Sequence, residues 1–176
     1  YANWQFDGDA SGNYKEYTDT TTNVTNYVYG LDGLYVGDSP QSQLVVGGTI
    51  TPTDGLKIQG LYNFYDRNFA DWSPGSREIG DDGVADRDQV WEAPDYSRID
   101  IHAYYDLPGS FSAGSKDITI QAFFHIFNAL DAIYVQDASD NSSYNAYNDD
   151  GGHDATSAEV FLGTPRYFNA GLSFRF

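Results

Sequence analysis

The chain has 176 residues, a formal net charge of −17, and neither cysteine nor methionine. So acidic a surface excludes partners recognised through a phosphate backbone, and the missing thiols exclude disulfides, thiolate metal sites and cysteine nucleophiles. No run approaches the ~20 apolar residues of a membrane helix, whereas Tyr, Phe and Gly are abundant (15, 11 and 18).

Residues 2–17 alternate with period two, and this spacing predicts the first strand. Trp4, Phe6, Gly8, Ala10, Gly12 and Tyr14 share one face, opposite Asn3, Gln5, Asp7, Asp9, Ser11 and Asn13. Residues 19–28, rich in Thr, Asn and Tyr, read as the extension of a hairpin. Residues 30–40, with three Gly, two Asp and a Pro, read as loop. A second strand is expected at 41–51 and a third at 56–66. They are joined by Pro52-Thr53-Asp54-Gly55, whose Pro fixes φ and whose Gly accepts positive φ.

Residues 67–95 are polar and acidic, without sustained periodicity, and read as a long loop. The fourth strand, 96–107, sets Ile99, Ile101 and Ala103 against Arg98, Asp100 and His102. The fifth, 117–128, sets Ile118, Ile120, Ala122 and Phe124 against Thr119, Gln121, Phe123 and His125. Residues 108–116 form a short connection and 129–164 a second long acidic loop. The last strand, 165–176, has Phe168, Ala170, Leu172, Phe174 and Phe176 on one face and Tyr167, Asn169, Gly171, Ser173 and Arg175 on the other.

Six strands of this length, with connections alternating between short and long, fit an all-β transmembrane antiparallel barrel. Such barrels need about 9–11 tilted residues per strand, with short periplasmic turns and long outer loops. Six strands do not close a single-chain barrel, so they are expected to be the C-terminal strands of a larger one, one partial domain over residues 1–176. Because the chain lacks Met it is expected to be the tail of a longer protein. The expected lipid face includes Ile99, Ile101, Ile118, Ile120, Leu172 and Phe174.

Four residues of strands four and five, Arg98, Asp100, His102 and His125, are the candidate lumen-facing contacts for a ligand or plug. The two imidazoles are a candidate metal pair, and a hydrated polar barrel interior is the plainer reading. In the loops, Asp81, Asp82, Asp86 and Asp88, and further on Asp149, Asp150 and Asp154, are candidate oxygen ligands for Ca²⁺. Neither group has EF-hand spacing, and solvated loop carboxylates are the plainer reading. No Gly-x-Ser-x-Gly elbow or Gly-rich phosphate loop occurs. No enzyme activity and no cofactor are expected.

The segment Phe127-Asn128-Ala129-Leu130-Asp131-Ala132-Ile133-Tyr134, then Gly163-Thr164-Pro165-Arg166 and a final strand ending in Phe, resembles TonB-dependent outer-membrane receptors. Val36-Gly37-Asp38-Ser39-Pro40-Gln41 and Gln89-Val90-Trp91-Glu92-Ala93-Pro94-Asp95-Tyr96 resemble the Bacteroidetes branch of that family. The resemblance implies uptake of a nutrient (iron chelate, glycan or peptide) across the outer membrane of a Gram-negative cell, with the long loops extracellular. It implies a plug and TonB box upstream of Tyr1, and Gly171, Phe174 and Phe176 as an assembly signal. The implied partners are outer-membrane lipid, the rest of barrel and plug, and the TonB complex, with a surface lipoprotein as a further candidate. Two other readings are a secreted acidic β-sandwich that binds carbohydrate through exposed Tyr and Trp, and a passive porin-like barrel.

Overall fold

A computed structural model describes residues 1–18, 20–114, 116–142 and 152–176. The architecture is all-β, with one short 3₁₀ turn at Pro74–Arg77. Among the described residues no helix is long and apolar enough to cross a membrane. The chain divides into two units.

The first unit comprises Tyr1–Ser42, Asp66–Pro94 and Val135–Leu162. Its opening hairpin pairs β1 (Ala10–Tyr17) with β2 (Thr22–Tyr29), in register from Ala10 opposite Tyr29 to Tyr17 opposite Thr22. This is where the first expected strand falls, and it differs from the expectation. Among the described residues it pairs within its own hairpin and is not a strand of the main sheet. The reason lies in its composition: between Trp4 and Tyr14 the face that should meet lipid carries only Phe6 and small residues. Period two marks a strand, but without bulky apolar side chains it does not mark a membrane face.

The rest of this unit is built from short strands that alternate along the chain with those of the main sheet. The main sheet contributes β3 (Ser42–Thr53) and β4 (Leu56–Asp66) before the unit resumes with β5 (Asn68–Phe69), β6 (Asp71–Trp72) and β7 (Glu92–Ala93). The main sheet then takes β8 (Tyr96–Asp106), β9 (Phe111–Ala113) and β10 (Lys116–Phe127). After β11 (Val135–Asp140) and β12 (Glu159–Leu162), the chain ends with β13 (Tyr167–Arg175). In the first unit β5 pairs with β7, and β11 lies between β12 and β6. A small core of Leu31, Leu34, Phe69, Ala70, Val90, Ala93, Ala138 and Ala158 holds these pieces together. Buried Gln41 substitutes for a missing strand partner: its Nε2 donates to the Trp4 carbonyl and its Oε1 accepts from the Trp4 amide, at 2.9 and 3.0 Å.

The second unit is an open antiparallel sheet in the order β13-β10-β8-β4-β3, with β9 paired to one end of β10. The sheet does not close into a barrel within this chain. Its register is clean: Ile58, Ala103 and Phe124 lie opposite one another across three strands and continue to Ala170. The next row on the same face is Gly60, Ile101, Ile126 and Phe168. The β3–β4 hairpin turns on Asp54-Gly55, a pair suited to two-residue turns. Gly55 has φ of 80°, and a Cβ there would lie 2.8 Å from the Asp106 carbonyl oxygen.

Candidate functional site

The segments 127–134 and 163–166 are far apart in sequence and interlock at one end of the sheet. Asn128 and Asp131, both with positive φ (50° and 56°), turn the chain out of β10. The Asn128 side chain donates to the carbonyls of Ala132 and Thr164 and accepts from the Ala132 amide. Asp131 accepts from the Arg166 amide at 2.9 Å, and the Arg166 guanidinium donates to the Ala129 carbonyl. Gly163 donates its amide to the Tyr134 carbonyl, and a Cβ on it would run into the Tyr134 ring. These motif residues therefore splice the exit of β10 to the entry of β13.

The same ring continues a stack, Tyr65 on Tyr96 on Tyr134, with centroids 4.9 and 4.3 Å apart. Arg98 donates to the Tyr134 hydroxyl at 3.4 Å and sits 3.7 Å from Asp100. Asp100 is buried and its oxygens are occupied, one by the Asn63 amide at 3.1 Å and the other by the Asn128 backbone amide at 2.9 Å. Of the four lumen-facing candidates, Arg98 and Asp100 thus join the splice.

His102 and His125 are brought together separately. They are opposite one another on β8 and β10, with Nδ1 to Nδ1 at 3.0 Å. Phe123 stacks on His125 (5.1 Å, 21°), and Tyr104 meets it edge-on at 5.3 Å. Phe127 meets His102 edge-on at 5.4 Å. Two steps of alternation place all four candidates on one face, and only the cross-strand register decides which of them touch.

The acidic loop candidates separate into two groups. Asp81 and Asp82 lie in a tight turn, where the Gly80 amide donates to the Val84 carbonyl and the Val84 amide to Asp82. Asp86 and Asp88 instead converge with His153, their ligand-type atoms lying within 4.8 Å of one another. The fully buried Arg77 guanidinium already occupies this spot, 3.2 Å from both Asp86 and Asp140 and donating to the Asp88 carbonyl at 2.7 Å. His153 bridges the two carboxylates, 2.6 Å from Asp140 and 3.0 Å from Asp86. The arrangement works as a buried ion-pair lattice whose positive charge comes from the protein itself. Arg77, Asp140 and His153 are additions that no local spacing announces, since they come from three separate segments. Asp154 caps its own turn, accepting from the amide and hydroxyl of Thr156, and these bonds lower its pKa. Asp149 and Asp150 lie outside the described residues.

Elsewhere in this unit, Asp9 and Arg87 form a fork-on-fork pair at 2.6 and 2.9 Å, and chiefly this pairing lowers the Asp9 pKa to about 2. Asp38 behaves oppositely. Partial burial, then a hydrogen bond that the protonated Asp38 donates to Asp137 and the charges of Asp71 and Asp137, push it up to about 6.

The three C-terminal candidates have different surroundings. Gly171 leaves room for Phe123, whose ring would be 2.6 Å from a Cβ at that position. Phe174 is exposed on the face shared with Leu172, and Phe176, 80% exposed, follows β13 with the Lys116 ammonium 5.0 Å from its ring centre. No protein-family profile, curated protein or solved structure matches the chain.

Proposed function

We propose that this chain is the C-terminal part of a TonB-dependent outer-membrane receptor, its five long strands forming a section of a larger barrel wall. The observation that carries the reading is the apolar sheet face left open to the surroundings. Ile50, Phe168, Leu172 and Phe174 are 62, 60, 57 and 55% exposed, and Leu44, Val46 and Phe124 extend the patch across the sheet. Monomeric soluble proteins rarely leave so continuous an apolar face in water, whereas a barrel wall needs one toward lipid. The opposite face, with Lys57, Gln59, Asn63, Arg98, His102, Gln121, Asn169 and Arg175, has the polarity of a barrel interior.

Connection lengths agree with this reading. The links from β3 to β4 and from β8 to β10 leave one end of the sheet and are short, while those from β4 to β8 and β10 to β13 leave the other and are long. The splice of 127–134 with 163–166 is made by the residues through which the chain resembles the receptor family. On that resemblance the activity is energised uptake of a nutrient into the periplasm, with no chemistry done on the cargo.

In intact outer membranes, a cysteine at 172 should resist a water-soluble maleimide while one at 173 reacts; the opposite pattern would remove the membrane assignment. Retention of the full-length protein on an immobilised TonB periplasmic domain tests the receptor assignment. A passive porin would not be retained, and a secreted carbohydrate-binding module would need no detergent.

A further inference from the structure

We propose that His102 and His125 form a two-imidazole binding site for a divalent transition-metal ion with cis square-planar or octahedral preference, Cu²⁺ or Ni²⁺. The inference does not rest on the membrane reading, because both residues lie on neighbouring strands of one sheet and the test reads the site and not uptake.

The carrying observation is that two basic nitrogens of the same kind face one another at 3.0 Å. As neutral rings they share a single N–H between them, and a metal ion replaces that proton while engaging both lone pairs. With metal–nitrogen bonds of about 2.0–2.1 Å, a 3.0 Å separation corresponds to an N–metal–N angle of roughly 91–97°. That is a cis angle of tetragonal or octahedral coordination, narrower than the tetrahedral angle of structural zinc.

The rings are held for this purpose by packing. Among the described residues neither Nε2 has a hydrogen-bond partner. The ring planes are set by Phe123, Tyr104 and Phe127 instead. Both imidazoles are only partly covered, so an ion can approach. The register also places Gln59 beside His102 and Asn169 beside His125, making a four-residue row of amide, imidazole, imidazole, amide across β4, β8, β10 and β13. Carboxamide oxygens and water are suitable completing ligands for such ions. The nearest carboxylate along β8, Asp100, is taken up by Asn63 and Asn128. No thiol or thioether exists in the chain, so the site favours Cu²⁺ over Cu⁺.

The full-length protein, purified in detergent, is titrated with copper sulfate and followed by electron paramagnetic resonance and calorimetry. The expected result is a Cu²⁺ signal split by two nitrogens. His102→Gln and His125→Gln should each weaken binding by at least about tenfold, since losing even a group that only supports a ligand costs roughly 10- to 100-fold. The double variant should lose the two-nitrogen signal, and His153→Gln should leave it unchanged. A double variant that keeps the wild-type signal, or a folded wild type that gives none, overturns the proposal. Should the Gln variants not fold, diethyl pyrocarbonate mapping of the wild type decides. Cu²⁺ must shield both His102 and His125, and unchanged modification of either refutes the site.

Discussion

Leu172→Arg separates a lipid-facing sheet from a water-facing one by magnitude. Leu172 lies one residue from Gly171, the middle of nine-residue β13, and its side chain is 57% exposed on the apolar face. If that face meets water, a charged substitution at an exposed site changes stability by no more than about 0.5 kcal/mol. If it meets hydrocarbon, an arginine near mid-strand costs about 2–4 kcal/mol, or roughly 30- to 800-fold in the folding equilibrium. Ser173 points to the opposite face at nearly the same depth, so Ser173→Arg is the matched control. Urea unfolding of the full-length protein in lipid vesicles, read by tryptophan fluorescence, measures both. Equal costs for the two variants would refute the assignment of faces, however well the strands themselves form.

Gly163→Ala should destabilise by about 1–3 kcal/mol through collision with Tyr134, and Tyr134→Ala in the same chain should recover part of that loss, a coupling readable in a double-mutant cycle. A pair whose costs simply add would mean the contact is not made. For Asp38 the sign runs against the usual carboxylate: its folded pKa, about 6, stands above the ordinary aspartate value of 3.8, so the folded form binds the proton more tightly. Stability should therefore rise as pH falls from about 6 to about 4, and Asp38→Asn should flatten that slope in thermal melts; an unchanged slope would move the origin elsewhere. Phe176→Ala removes an exposed ring, and even full burial in lipid is worth only roughly 1.5–3 kcal/mol. Under the receptor proposal, folded abundance in the outer membrane should fall by more than that loss explains, while the protein that does fold keeps near-normal uptake. Normal abundance with poor uptake would assign the terminus to transport.

What the sequence made legible was whatever depends on period two. Strands expected at 41–51, 56–66, 96–107, 117–128 and 165–176 compare with Ser42–Thr53, Leu56–Asp66, Tyr96–Asp106, Lys116–Phe127 and Tyr167–Arg175. Alternation also sorted Arg98, Asp100, His102 and His125 to one face. It says nothing about partners, so it cannot tell that the strand within 2–17 pairs locally with Thr22–Tyr29 and not with the main sheet. Nor could it find the Arg77 lattice. Asp140 and His153 reach Arg77 from more than sixty residues away, and a buried charge network leaves no periodic trace. The motif at 127–134 was visible as a pattern, but its physical content, Asn128 and Asp131 holding Thr164 and Arg166, needed three dimensions.

The main sheet is poorly suited to either solvent. In water its difficulty is the apolar face, which would draw other molecules onto Ile50, Phe168 and Leu172. In a bilayer that face is satisfied, but β3 and β13 are the two ends of the sheet order, and among the described residues each has one side without a neighbouring strand in this sheet. Each unpaired backbone group in hydrocarbon costs several kcal/mol. A nine-residue edge such as β13 presents several of them, more than the 5–15 kcal/mol by which whole proteins are usually stable. Neither solvent suits the sheet as it stands. An arrangement that would remove both difficulties has further strands pair with β3 and with β13 and turn the polar face inward. Under the receptor proposal those strands belong to the rest of the barrel, and the splice at 127–134 fixes the entry of β13, the strand that must close it.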